Sequence, residues 1–203
     1  MAAKRPRRQL ILEALAAELE AKPGARITTA AVARAAGLSE AALYRHFASK
    51  AQMLEGLIEF AEESVFLRIN QILAEERSTR VRCARVIYLL LGFAGRNPGI
   101  TRVLLGDALV GETERLLARA DQFFARIETQ LKQILREAGL RQDVVGLCPA
   151  DAAANLMLAW VEGRMHQYLR SRFRLSPLHQ WEQQWQALEG GLFAEQSTSD
   201  PDA

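Results

Sequence analysis

Residues 26–54, RITTAAVARAAGLSEAALYRHFASKAQML, hold two short helical stretches on either side of Gly37. Thr28 or Thr29 can cap the first, and Ser39 caps the second. Leu38 before that cap and Leu43 four residues after it have the spacing of a hydrophobic staple. Ser49-Lys50-Ala51-Gln52 is a capping box that opens a longer helix. Two short helices joined at a glycine predict a helix-turn-helix. Leu43 and Phe47, four apart, anchor the second helix inward, which frees Glu40, Ala41, Tyr44 and Arg45 to face outward. A core helix has no need of aromatic and basic groups crowded near its start; a helix facing DNA does. Ala41 and Ala42 are small enough to let the backbone approach base edges, and an alanine methyl can meet a thymine methyl. Thr28, Tyr44 and Lys50 suit phosphate oxygens, and Thr28 and Lys50 also sit where helix N-termini favour an anion. The expected DNA-contacting set is Thr28, Thr29, Ser39, Glu40, Ala41, Ala42, Tyr44, Arg45, His46 and Lys50. Spacing alone also allows a plainer outcome, in which Tyr44 and His46 are the packed surface of an αα-hairpin.

Charge divides the chain in the same place. Residues 1–50 carry nine Lys/Arg against four Glu, whereas the remaining 153 residues carry 17 basic and 20 acidic groups. One end is therefore suited to a polyanion and the other to a different task. The opening MAAKRPRRQ runs directly into an amphipathic stretch, so it does not read as a secretory signal. The longest apolar run, Val86–Ala94, is far shorter than the roughly 20 residues a membrane span needs. Cys83 and Cys148 fit neither a metal spacing nor a disulfide framework. A reduced, cytoplasmic protein without a membrane segment is expected.

No sustained alternation predicts a strand, and the 3.6-residue period predicts an all-α fold of about nine helices. They are expected over Pro6–Glu20, from Thr28/Thr29 to Gly37, from Ser39, from Ser49 to about Glu76, and from "RST" to the break at Asn97-Pro98-Gly99. Short pieces follow at Ile100–Leu105 and Asp107–Val110, then a long helix over Glu112–Ala138 ending at Gly139. Pro149 opens another through about Arg172, and Ser176-Pro177 opens the last. Three parts are expected: a DNA-binding domain over 1–50, a helical dimerisation and partner-binding domain over 51–195, and a disordered tail over 196–203.

The run Thr28-Thr29, Ala36-Gly37-Leu38-Ser39, Leu43-Tyr44, His46-Phe47 and Ser49-Lys50 resembles the DNA-binding domain of the TetR family. The third position after the turn, often Gly in that family, is Ala41 here, which bears on base preference and not on fold. The resemblance implies an N-terminal three-helix DNA reader and a larger helical domain that dimerises. SEAALYRHFASK, LIEF…ES…RINQIL and LLLGFAGRNPG resemble, more narrowly, the nucleoid occlusion branch of the family, over almost the whole chain. That likeness implies binding to palindromic double-stranded DNA sites on the chromosome, with one or more dimers on each, and localisation to the nucleoid. It also implies antagonism of the tubulin-like division protein FtsZ through its C-terminal tail.

Positions that match the tail-binding surface of that branch are Phe60, Arg68, Leu89, Gly92, Arg96 and Asn97. The set makes physical sense: an extended peptide needs an apolar floor, a glycine for close backbone approach, and Arg forks for carboxylates. Plainer roles are core packing for Phe60 and a helix C-terminal charge for Arg96. Leu178, Trp181, Trp185, Leu188 and Leu192 recur at 3, 4, 3, 4, a heptad-like seam, with Trp160 adding bulk on the preceding helix. Such a stripe is usually core. In a family that dimerises through its last two helices, Trp160, Trp181, Trp185 and Leu188 are the expected interface.

Catalytic chemistry finds little support. The three histidines are His46, His166 and His179; Glu162 and His166 share one helix face but lack a second pair to complete a metal site. No phosphate-binding Gly loop or nucleophile elbow occurs. A non-enzymatic protein without a cofactor is expected. The other non-enzymatic possibility is a TetR-type repressor released from its operator by a small apolar ligand, held near Ile87, Leu89, Leu90, Leu91 and Phe93.

Overall fold

The computed structural model describes residues 6–141 and 144–194. The expected tail over 196–203 lies outside them. Among the described residues there are nine α-helices, one 3₁₀ turn and no strand. They are α1 (Arg7–Ala21), α2 (Thr29–Ala35), α3 (Glu40–Tyr44), α4 (Lys50–Glu75), α5 (Thr79–Arg96), α6 (Pro98–Leu104), the turn Asp107–Leu109, α7 (Glu114–Arg141), α8 (Ala150–Arg170) and α9 (Trp181–Leu192).

Side-chain caps start four of these helices. Thr28, Ser39, Ser49 and Ser78 each accept a hydrogen bond from the backbone N–H three residues on. Gln52 completes the cap of α4 by accepting from the Ala48 N–H at 2.9 Å. Gly37 turns between α2 and α3 at φ 66°, a backbone region open to glycine. Leu43 and Phe47 are buried with Ile11, Leu15, Leu19 and Val32, and Met53, Leu54 and Leu57 of α4 close the same core. Helix α4 is thus the strut shared by the N-terminal trio and the body formed by α5–α9.

Three arginines inside this body were not foreseen. Arg102 on α6 is buried and donates to the carbonyls of Leu19 and Lys22 at 2.8 Å and of Ala25 at 3.3 Å, and it pairs with Asp107. It closes the C-terminal end of α1, whose last carbonyls have no partner within the helix. Arg82 does the same for α4, donating to Leu73 and Glu76 carbonyls at 2.8 and 2.6 Å. Arg164 donates to the carbonyls of Ser176, Pro177 and His179. With these carbonyls held by a guanidinium, residues 177–180 form turns, and the last helix begins at Trp181 rather than at Ser176. Helix α6 starts at Pro98, inside the expected break, because proline suits the first helical position; α7 starts at Glu114 rather than Glu112 and continues through Gly139 to Arg141, a continuation that costs only about 1 kcal/mol relative to Ala.

Candidate nucleic-acid interface and partner groove

Helix α3 presents a short, small-residue surface. Ala41, Tyr44 and Arg45 are exposed, and Ala42 and His46 are half-buried. The polar groups around them are ordered by one another. Thr29 Oγ1 donates to Glu40 Oε2 at 2.9 Å, and the Tyr44 hydroxyl donates to Thr29 Oγ1 at 3.4 Å. These bonds link α2 to α3 through Thr29, with the Tyr44 ring left 46% exposed. Thr28 and Ser39 spend their oxygens on caps, so each sits at the positive end of a helix. Arg8 of α1 locks the far end of α3: it donates to the His46 carbonyl at 2.9 Å and lies 4.2 Å over the Phe47 ring.

Lys50 is placed differently from the sequence expectation of an open phosphate contact. Its Nζ pairs with Glu112 Oε1 at 2.7 Å and donates to the Ile27 carbonyl at 3.5 Å. The ammonium therefore bridges the N-terminal trio to the segment ahead of α7, and a phosphate would have to compete with a carboxylate for it.

Behind the trio, α4 and α5 form an antiparallel pair with a groove of about 440 Å³ between them. Arg68, Leu89 and Arg96 line it together, with Ile72, Tyr88 and Trp181 as further apolar wall. Neither Arg68 nor Arg96 has a carboxylate partner among the described residues; Arg68 donates to Gln71 at 2.8 Å. Gly92 has a different role from the bare backbone expected of it. The guanidinium of Arg96 folds back over it, and a Cβ there would lie 3.1 Å from Arg96 Nη1. The glycine thereby aims Arg96 into the groove. Phe60 is 47% exposed and so is not a core residue. With Asn97 it lines a second cleft, of about 430 Å³, between α1, α4 and α6. Asn97 also donates to the Phe93 carbonyl at 2.8 Å, closing the end of α5. Of the apolar residues proposed for a ligand pocket, Ile87, Leu90, Leu91 and Phe93 are core, and only Leu89 reaches a groove.

The tryptophans form one connected cluster within the chain. Trp181 stacks on Trp185 at 5.6 Å, meets Trp160 at 6.0 Å, and takes Tyr88 edge-on at 5.5 Å. Trp185 is already buried here, while Trp160, Trp181 and Leu188 are half-buried. The open face of α8 is instead small and apolar: Ala152, Leu156, Ala159 and Gly163, at 4, 3, 4 spacing, are all exposed. Glu162 stands beside His166, and burial, reinforced by Asp121 and Glu128, raises its carboxyl above the usual range despite the imidazole. Among the described residues no three His, Cys, Asp or Glu converge as a metal site.

Two family models match the sequence. Residues 11–57 match the bacterial regulatory proteins of the tetR family, and residues 77–192 match the SlmA-like type of Tetracyclin repressor-like C-terminal domain. The chain is 53% identical over 189 residues to the nucleoid occlusion factor SlmA of Marinomonas sp. (strain MWYL1), covering 93% of this chain and 96% of that one. It is 56% identical over 186 residues to SlmA of Shewanella halifaxensis (strain HAW-EB4), covering 92% and 94%. The transcriptional regulator FadR from Bacillus subtilis, solved with stearoyl-CoA, superposes with a TM-score of 0.77 at 14% identity, over 90% of this chain and 98% of that one. MbdR from Azoarcus sp. CIB gives 0.77 at 18%, over 93% and 100%. At such identity these two structures speak to the fold alone.

Proposed function

The chain belongs to the TetR family, in its SlmA branch of nucleoid occlusion factors, and from that premise we propose that it is a DNA-bound inhibitor of cell division. A homodimer sits on palindromic chromosomal sites and binds the C-terminal tail of FtsZ, so that division-ring assembly is suppressed over the nucleoid. Ala41, Ala42, Tyr44 and Arg45 reach the base edges and flanking backbone, with Thr28, Thr29, Ser39, Glu40, His46 and Lys50 positioning the helix. Two-fold symmetry sets the paired α3 helices about 34–36 Å apart, or a multiple of it. The dimer forms through α8 and α9, with Trp160, Trp181 and Leu188 joined by the open Ala152–Leu156–Ala159 face.

The observation that carries the reading is the α4–α5 groove, where Arg68, Leu89 and Arg96 meet on a surface separate from α3. Two guanidinium groups with no carboxylate partner among the described residues, set over an apolar floor, fit an extended peptide with carboxylates. Separate surfaces allow DNA and tail to be held at once, whereas a ligand-released repressor requires the two ligands to oppose each other.

Fluorescence anisotropy of a labelled FtsZ tail peptide, with and without a palindromic duplex that the protein retains, tests this. Saturable binding that persists or tightens on DNA is expected. Arg68→Asp and Arg96→Asp should abolish tail binding and spare DNA binding. Displacement of the peptide by DNA would reject the reading in favour of the released repressor.

A further inference from the structure

Helices α7 and α8 make one round trip along the body. Helix α7 leaves from the end that carries the trio, where Arg115 pairs with Glu55 near the start of α4 at 3.1 Å. Near its far end Glu137 faces Arg82, at the start of α5. Asp151 in the first turn of α8 pairs with Arg136 at 2.9 Å, so α8 starts at that far end and returns. In its last turn the Tyr168 hydroxyl donates to the carbonyl of Gly95, near the end of α5, at 3.2 Å. Burial raises the Tyr168 phenol above its ordinary range, and the carboxylate of Glu20, in the last turn of α1, adds to the shift. The turn from α8 to α9 therefore emerges at the end of the body beside the trio, and it carries Arg170, Arg172 and Arg174, all exposed. None of the three has a carboxylate partner among the described residues; Arg174 Nε donates to the Ser171 carbonyl at 3.0 Å.

The turn is held in a strained shape. Arg172 and Phe173 both take left-handed backbone angles, φ 52° and 64°, which residues with a Cβ adopt only when their surroundings enforce it. The Phe173 N–H donates to the Tyr168 carbonyl at 2.9 Å, the Ser171 hydroxyl donates to the same carbonyl at 2.8 Å, and the Phe173 ring lies 5.2 Å from that of Tyr168. Phe173 is thereby half-buried while the arginines on either side stay out. Arg170 has a second relation. The exposed residues Ala152, Leu156, Ala159 and Gly163 of α8 continue at steps of three and four to His166 and Arg170, which are exposed as well. In the dimer read above this stripe faces its counterpart, which brings the Arg170 of each protomer beside the two-fold axis. Like charges gathered there, on the side of the α3 helices, suit a polyanion centred on the same axis. Resting on the dimer and DNA-binding readings above, we propose that this turn is a second DNA contact. Arg170, Arg172 and Arg174 of both protomers hold phosphates at the centre of the palindrome, between the half-sites that α3 reads. Guanidinium groups grip phosphate as forks, and such contacts add affinity and register without reading a base.

The full chain carrying Arg170→Gln/Arg172→Gln/Arg174→Gln tests this, with duplex affinity measured across salt concentrations. The slope of log Kd against log salt should fall by about two or more, since each phosphate contact contributes about 0.9. Arg170→Lys/Arg172→Lys/Arg174→Lys, which keeps the charge, should hold the slope. Neutral methylphosphonates at the phosphates around the dyad should weaken the wild type and leave the Gln variant indifferent, a pairing that a misfolded variant would not give. An unchanged slope in the Gln variant, or methylphosphonates that weaken both proteins alike, would overturn the proposal. So would an unchanged slope with loss of the FtsZ tail peptide or of phosphatidylglycerol vesicles, which assigns the arginines to a peptide or to a membrane. A wild type that is monomeric in light scattering, or that retains no palindrome, would instead remove the reading on which the proposal rests.

Discussion

Gly99 of α6 and Ala16 of α1 meet backbone to backbone: a Cβ on Gly99 would lie 2.1 Å from the Ala16 carbonyl oxygen and 3.1 Å from its Cα. The N-terminal trio is therefore seated directly on the body, with no side chain between to absorb displacement. Gly99→Ala must push the two helices apart. It is expected to cost about 1–3 kcal/mol, as overpacking does, read from urea melts. Its DNA affinity should fall as well, because α1 carries the core that holds α3. An unchanged midpoint would show that the contact yields easily.

Arg102 secures the same joint by a different means. Arg102→Ala removes the ion partner of Asp107 and the side-chain donor to the carbonyls of Leu19, Lys22 and Ala25, of which Lys22 keeps the Ala25 N–H. A loss of about 1–3 kcal/mol is expected, the range for leaving buried carbonyls without their donor; Asp107 is partly exposed and can turn to water. Hydrogen exchange should show extra opening at residues 19–25 before the rest of the chain.

The Lys50–Glu112 pair can be weighed from both sides. If phosphate takes Lys50 from Glu112, Lys50→Ala should weaken all duplexes about equally and reduce the salt slope by about one. Glu112→Gln should tighten DNA binding by about two- to five-fold. A salt slope that stays the same in Lys50→Ala would leave the lysine as a purely internal tie.

Thr28→Ala and Tyr44→Ala should both lower DNA affinity without altering the mass that light scattering reads for the wild type. They differ in stability. Only the first removes a cap, for about 1 kcal/mol, and Thr28→Ser should recover both properties.

Glu162 gives the chain a pH signature. Burial raises its folded pKa above the ordinary carboxylate value, so the native state holds this proton to higher pH than the unfolded state does. Stability from this group accordingly declines as pH rises from the unfolded value through the raised one, and stays reduced above it. Glu162→Gln removes the penalty: denaturant midpoints should match the wild type at about pH 4 and exceed it at about pH 7. Equal midpoints at both would mean that His166 offsets the burial.

What could be read in advance was local. Thr28, Ser39 and Ser49 cap helices within three residues of themselves, and Gly37 turns where it stands, so one short window contains cause and effect. Arg102 could not be read this way, because it reaches a carbonyl 83 positions away. Gly99 reads as part of the break at Asn97-Pro98-Gly99, and its reason, Ala16, lies on another helix. Lys50 advertised a helix start but not its partner Glu112. For the groove, the family likeness named Arg68, Leu89 and Arg96, which meet. It could not say that Phe60 and Asn97 line the adjoining cleft, or that Gly92 is covered by Arg96. The seam of Trp181, Trp185 and Leu188 has heptad-like spacing, yet periodicity cannot divide a stripe between its own chain and a second one.

The aromatic cluster has an optical consequence. The chain has three tryptophans, and all of them belong to it: Trp160, Trp181 and Trp185, with Trp181 walling the α4–α5 groove beside Tyr88. Intrinsic emission thus originates from one place, next to the surface where a peptide would arrive. A titration can be followed by the colour and intensity of that emission with no dye attached, whereas a duplex bound at α3 as proposed would contact none of these rings and would register through other means.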